Sequence, residues 1–303
     1  MEHYNTRVPH ISFGHGLLRG RTLFVSDLDG TLLGSDSRVS SESALMLNVA
    51  IAGGAAFTVA TARTPATAIT LLKDIKISIP GAVMTGAALF DFSSRRFSRL
   101  QFLPPGVASR LVEMYRVHGV STFIYTYIYT YSGERLEVYH IGQLNQHELC
   151  FLEERSHTPV KHFSVPPDGE SLLPENLDTT MLLYSVQPWD RAYALYGEIV
   201  DRHVPVTPLC YHDTFGNEWG QLEMFGPSTS KAAAIESVAS DIGAGRIVAF
   251  GDNVNDVPIL RLADTAVAVG NAVPELKEMA DVVIGCNDED SVARFVLQNY
   301  KKC

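Results

Sequence analysis

Residues 23–31 read Leu23-Phe24-Val25-Ser26-Asp27-Leu28-Asp29-Gly30-Thr31, an apolar run that ends in two carboxylates, a glycine and a threonine. The run predicts a buried strand, and the residues after it a turn. Two acids two positions apart, where a buried strand surfaces, lose hydration and repel each other, so holding them together is costly without a cation. A hard divalent ion such as Mg²⁺, bound through oxygen ligands, relieves that repulsion. Such a site can hold a phosphate beside a carboxylate nucleophile. The plainer reading is an acidic turn ending an ordinary strand, with Asp29 and Thr31 satisfying local backbone groups. On this stretch alone the two readings weigh nearly the same.

Working outward, Ser40 to Ala52 is an amphipathic helix with Ser40 or Ser41 as its cap and Gly53-Gly54 as its stop. Ala55 to Ala60 is a second buried strand that ends in Thr61-Ala62-Arg63-Thr64-Pro65. A helix from Pro65 to about Lys73 follows, and Gly81 to Met84 offers a third strand. The same grammar returns late in the chain. Ser228 to Ser230 cap a helix over Lys231–Asp241, the strand Arg246–Phe250 runs into Gly251-Asp252-Asn253-Val254-Asn255-Asp256, and a helix spans Asp290 to Asn299. Strands alternating with helices predict an α/β fold, a Rossmann-like parallel sheet with helices on both faces.

Between residues 92 and 225 the texture changes to long amphipathic helical stretches, at 107–118 and 188–202, and aromatic alternating strands. The organisation read from this is a core of residues 1–91 and 226–303 with an inserted α+β cap domain at 92–225. Within the cap, Phe123, Tyr125, Tyr127, Tyr129 and Tyr131 share one face of a strand. Ser132-Gly133-Glu134 turns it into a return strand around Arg135–His140. A face packed on the cap's own helices is favoured over a substrate mouth or dimer contact.

The totals bound the function. At 303 residues the chain suggests two domains, and 46% hydrophobic with 19% charged residues is a globular composition. A net charge of −10 argues against nucleic acid as a partner, because phosphate backbones need a basic surface. One small phosphorylated substrate stays allowed, since a metal and a few local cations can reverse the field in a cleft. Cys150, Cys210, Cys286 and Cys303 form no CxxC pair, which fits a reducing cytoplasm better than a zinc site or a disulfide framework. His10, His15 and Arg19 interrupt residues 1–20, so no signal-type apolar core is read there. No run reaches the ~20 apolar residues of a membrane helix. The expectation is a soluble cytoplasmic protein, monomer or homodimer, with no membrane partner.

In an open parallel sheet the carboxyl ends of the strands share one edge, so residues following different strands converge there. Asp27 and Asp29 follow the first strand, Thr61 and Arg63 the second, Lys231 opens a helix, and Asp252, Asn255 and Asp256 follow a later strand. Each has a bland reading alone. Thr61 can cap the next turn, Arg63 can pair with a surface acid, Lys231 can be a solvated helix lysine, and Asp252 and Asp256 can be turn and cap residues. Chance seldom puts all four in this order at strand and helix ends.

The order and the residues resemble the haloacid dehalogenase-like hydrolase superfamily, and within it the Cof-type sugar-phosphatase branch with a large α/β cap. The match lies in DLDGTLL at 27–33, TARTP at 61–65, SK at 230–231, GDNVNDVPIL at 251–260, GNAVPELKEMADVV at 270–283 and NDED at 287–290. The resemblance implies a Mg²⁺-dependent phosphatase acting on a small phosphorylated metabolite, most simply a sugar phosphate, through an aspartyl-phosphate. It implies Asp27 as nucleophile and Asp29 as general acid and base. Asp27, the Asp29 backbone carbonyl and Asp252 would hold the metal, with Asp256 near or behind it. Thr61 and Lys231 would bind phosphoryl oxygens, and Arg63 and Asn255 the substrate. Two positions depart from the family pattern: Ala62 stands where glycine is usual, and Thr85-Gly86 where Asn-Gly is common. A phosphomutase is the alternative, and a non-catalytic sugar-phosphate sensor a weaker one.

Overall fold

The computed structural model describes residues 21–130, 133–155, 160–165, 171–213 and 216–301. The features read at residues 1–20, Tyr131, Ser132 and Cys303 lie outside them. Contacts divide the chain into two compact units: one runs to Ser98 and resumes at Ser230, the other spans Arg99–Thr229.

In chain order the first part of the core contains β1 (Arg21–Ser26), α1 (Ser41–Ala52), β2 (Ala56–Val59), α2 (Pro65–Leu71), β3 (Gly81–Val83), β4 (Ala88–Asp91) and β5 (Arg96–Ser98). The second unit follows with α3 (Val107–Val117), β6 (Thr122–Thr130), β7 (Gly133–Ile141), α4 (Gln146–Arg155), β8 (Lys161–Ser164), β9 (Thr180–Pro188), α5 (Trp189–Asp201), β10 (Thr207–Asp213) and β11 (Gly216–Phe225). The core then closes with α6 (Lys231–Asp241), β12 (Ala244–Gly251), α7 (Val257–Leu262), β13 (Thr265–Ala268), α8 (Pro274–Met279), β14 (Val282–Val283) and α9 (Ser291–Asn299).

The core sheet is parallel throughout, in the order β14-β13-β12-β1-β2. Its strands read as continuous apolar runs because helices cover both faces. Leu23, Phe24, Val25, Phe57, Val248 and Phe250 pack with Leu47, Ile235 and Phe295 from those helices into one core. Helix starts are set by serine caps, as the sequence suggests. Ser40 accepts a hydrogen bond from Ser43 N at 2.9 Å, and Ser230 from Ala233 N at 3.1 Å.

The expected third strand and the expected 91/92 boundary both shift. β3 joins the parallel sheet only through an Ala60–Ala82 bridge; its ladder partner is β4, which pairs in turn with β5. Because Arg96–Ser98 is tied into that small antiparallel sheet, the division falls after Ser98, and the return falls after Thr229.

The second unit is built on a six-stranded sheet, β10-β11-β9-β6-β7-β8, antiparallel except for β7 and β8. One face packs on α3 and α5 through Ile124, Leu183, Leu222, Leu111 and Leu195. The aromatic face of β6 is covered at one end: Phe123 and Tyr125 are buried, and Phe151 of α4 lies 5.2 Å from the Phe123 ring. Tyr129, at the far end, is 70% exposed.

Candidate active site

The carboxyl edge of the core sheet brings the predicted acids together. Asp27 follows β1 directly, its amide still bonded to Phe250 O of the neighbouring β12 at 3.1 Å. The chain then reverses through Asp29 and Gly30, where φ is +75°. A side chain at Gly30 would overlap the Asp252 carboxylate, so only glycine lets the turn lie against that acid. The Thr31 hydroxyl donates to Asp252 Oδ1 at 2.9 Å, linking the two loops.

Lys231 is the first residue of α6 and is buried between Asp27 and Asp256. Its Nζ donates to Asp27 Oδ1 at 2.6 Å and to Asp256 Oδ1 at 2.8 Å. It is therefore no solvated helix lysine. The other Asp256 oxygen accepts from the amides of Asp252 and Asn253, at 3.1 and 3.3 Å. With its hydrogen bonds spent on Lys231 and the loop, Asp256 supports the site from behind.

One ammonium does not balance this cluster. Burial pushes the Asp27 carboxyl up to about 7; Lys231 opposes the rise, while Asp256 and Asp252 add to it. Burial likewise pushes Asp252 up to about 6, against the Thr31 hydrogen bond. For Lys231 burial works against the charge, but Asp27 and Asp256 outweigh it and raise its pKa. Asp27, Asp252 and Asp256 each offer an oxygen, and these lie within 4.8 Å of one another. An all-oxygen, carboxylate-rich set with excess negative charge suits a hard divalent cation.

Thr61 and Arg63 follow β2. Thr61 is buried, and its hydroxyl accepts from Arg63 N at 3.1 Å, the turn-capping role that was its plainer reading. Arg63 has found an acid, and that acid is Asp29: Nε to Oδ2 at 2.8 Å and Nη2 to Oδ1 at 2.6 Å. This fork is the strong, directional form of the pair. Asn255 is exposed.

The two departures have distinct consequences. Ala62 is exposed, so its methyl does not crowd the buried Thr61. Thr85 adopts a left-handed conformation, φ +56°, and its amide bonds to Thr61 O at 3.0 Å. Gly86 follows at φ +93°, and a side chain there would overlap the Ser230 carbonyl oxygen. That close approach seats the loop against the start of α6, which carries Lys231. Gly86→Ala is expected to cost about 2–4 kcal/mol of stability, since neither backbone can yield easily. A thermal melt unchanged within a degree or so of the parent would contradict it.

Sequence reading missed Asn271. Its Nδ2 donates to Gly30 O at 2.7 Å and its Oδ1 accepts from Asn287 N at 2.9 Å, holding the Asp29-Gly30 turn from outside. Val273 N adds a bond to Asp252 O at 2.8 Å. Both lie in the GNAVPELK stretch, which was noted only for its family likeness.

Acids and a buried ammonium gathered at the carboxyl edge of a doubly wound sheet form the kind of site that α/β enzymes use for chemistry. The family model of haloacid dehalogenase-like hydrolases matches residues 24–296. The 5-amino-6-(5-phospho-D-ribitylamino)uracil phosphatase YitU of Bacillus subtilis is 26% identical over 92% of this chain and 97% of that protein. The pyridoxal phosphate phosphatase YbhA of Escherichia coli is 25% identical over 89% of this chain and 95% of that one. A haloacid dehalogenase-like hydrolase from Bacteroides thetaiotaomicron has the same fold, with a TM-score of 0.71 and 23% identity over 92% of this chain and 99% of that one. The chain belongs to the haloacid dehalogenase-like hydrolases, in their Cof-type branch, and is a phosphatase. No described helix is long and apolar enough to cross a membrane.

Proposed function

We propose that the chain is a Mg²⁺-dependent phosphomonoesterase of a small phosphorylated metabolite, first of all a sugar phosphate, working through an aspartyl-phosphate on Asp27. The observation that carries this reading is Lys231 fixed between Asp27 and Asp256, at 2.6 and 2.8 Å. That arrangement aims a buried carboxylate while leaving a cation beside it to meet phosphoryl oxygens. The two phosphatase relatives, each named for a small phosphate ester, support the substrate class.

In the proposed reaction Asp27 attacks phosphorus and the leaving alkoxide takes a proton from Asp29. Asp29 then accepts a proton from the water that cleaves the aspartyl-phosphate. To act as donor, Asp29 must leave its pair with Arg63, and Arg63 is then free for the substrate. Thr61 and Lys231 bind phosphoryl oxygens and Asn255 orients the substrate. Asp27, the Asp29 carbonyl and Asp252 are the residues that would hold Mg²⁺, with Asp256 behind them. When bound, the ion would neutralise charge on the phosphoryl oxygens. The Arg99–Thr229 unit is assigned the choice of leaving group.

Phosphate release from a panel of sugar phosphates, nucleotides and pyridoxal phosphate tests this reading. Turnover of at least one sugar phosphate, dependent on added Mg²⁺, is the expected result. Turnover undiminished by chelation, or isomerised sugar phosphate without free phosphate, contradicts it.

Metal binding also predicts a pH signature. In the metal-free protein Asp27 and Asp252 hold protons more tightly than in the unfolded chain, so stability falls as pH rises from about 4 to about 7. Mg²⁺ competes with those protons. Its addition should raise the melting temperature more at about pH 8 than at about pH 5. An equal rise at both pH values would contradict carboxylate ligation at this cluster.

A further inference from the structure

Beyond Thr126 the strand β6 loses one neighbour. Its ladder with β9 ends at the Thr126–Thr180 pair, while its pairing with β7 runs on to Thr130. The incoming chain bridges β7 at Leu172, opposite His140, and enters β9 at Thr180, so it crosses this end of the sheet instead of adding a strand. The crossing is pinned along its length. Leu172 N donates to His140 O at 2.8 Å, the Asn176 side chain accepts from Asp178 N at 2.9 Å, and Asp178 Oδ1 accepts from Gly106 N at 3.1 Å. Between the crossing and the strands lies a cavity of about 590 Å³, lined wholly by residues of the Arg99–Thr229 unit.

Ile128, Tyr139 and Ser164 line it from β6, β7 and β8, and the pairing register puts all three on one face of the sheet. Leu172, Pro174 and Glu175 line it from the crossing. That size, with apolar walls and few polar groups, is typical of a small-molecule site. The charges around it are unequal. Buried Glu137 is spent: it accepts from Arg135 Nε at 2.9 Å and is also bonded to His162 and Ser164. Among the described residues no cation or hydrogen-bond donor meets Glu175. Its carboxylate is close enough to act on the Tyr139 phenol, whose pKa is raised by burial first and then by Glu137 and Glu175, against Arg135. A cavity that holds an unspent carboxylate beside an aromatic ring, with aliphatic walls, suits a cation on an apolar body.

We propose that this cavity binds a small amine, its ammonium group held by Glu175 beside the Tyr139 ring and its apolar or aromatic body against Ile128, Leu172 and Pro174. The ligand is a free molecule distinct from the phosphate ester, so the site rests on no part of the proposed function. A carboxylate or phosphate would meet Glu175 as a like charge. A neutral ring would fill the walls without using the acid.

Calorimetric titration of the full-length protein with phenethylamine, and with phenethyl alcohol as its neutral counterpart, tests the site. The amine should bind saturably and about tenfold more tightly than the alcohol. Glu175 is exposed, so Glu175→Gln should melt with the parent. That variant should lose the preference for the amine while binding the alcohol as before. Leu172→Trp, which adds an indole to the cavity wall, should weaken both ligands. Equal binding of amine and alcohol, a preference that survives Glu175→Gln, binding untouched by Leu172→Trp, or no saturable binding at all overturns the proposal. None of these measurements reads phosphate release, so a failure of the proposed reaction would show separately.

Discussion

Asp27→Asn should reduce phosphate release by roughly 10⁴-fold or more, the scale seen when a covalent nucleophile is removed, while the protein still folds and binds its substrate. The amide keeps the shape of the carboxylate and can still accept the hydrogen bond that Lys231 Nζ makes at 2.6 Å. It cannot carry the phosphoryl group. Removing one of three crowded carboxylates also relieves repulsion from Asp252 and Asp256, so the variant should melt no lower than the parent in the absence of metal. Steady-state phosphate release and a thermal melt check both halves. Residual turnover within tenfold of the parent would remove Asp27 from the nucleophile's role.

Lys231→Met should act on stability as much as on rate. The ammonium is 2% exposed and is bound to two buried carboxylates, Asp27 and Asp256. Breaking a buried ion pair by deleting one partner leaves uncompensated charge, at a cost of about 3–5 kcal/mol. The remaining acids respond by taking up protons, so the loss should be largest above neutral pH and smaller in mild acid. Turnover should fall with it, because the same ammonium is assigned to the phosphoryl oxygens. Lys231→Arg is no safe replacement, since a planar fork does not match the two-point contact of a compact ammonium. A Lys231→Met protein that melts with the parent at all pH values would show the ion pairs to be worth little.

The sequence made the core legible because its signals are local and cooperative. Apolar runs ending in Asp27 and Asp252, serine caps at Ser40 and Ser230, and glycines past the helices all describe one fold. The acids at strand ends converge because a parallel sheet leaves no other edge for them, and the structure brings Asp27, Asp252, Asp256 and Lys231 together as expected.

What stayed hidden depends on partners distant in the chain. Nothing near Arg63 says that its acid is Asp29, 34 residues away. Asn271 shows its use only when its loop is folded against Gly30. The sequence puts the boundary at residue 92 and the contacts divide the chain after Ser98, because β5 is three residues long and takes its meaning from pairing with β4. In the second unit, α4 and β8 escaped notice: α4 turns Glu148 into a buried residue, and β8 is a short polar stretch. Those two elements carry Phe151 and Phe163, whose rings cover Phe123 at 5.2 and 6.0 Å, a packing no local sequence signal announces.

The central claim is that Asp27 is covalently phosphorylated during turnover. Rapid acid quench after mixing the protein with a hydrolysed sugar phosphate, followed by peptide mass spectrometry, tests it most directly. The account predicts one acid-stable, base-labile phosphoryl group on the peptide that holds Asp27, absent from Asp27→Asn. A phosphoryl group found only on another residue, or none while phosphate is released at the full rate, would contradict it.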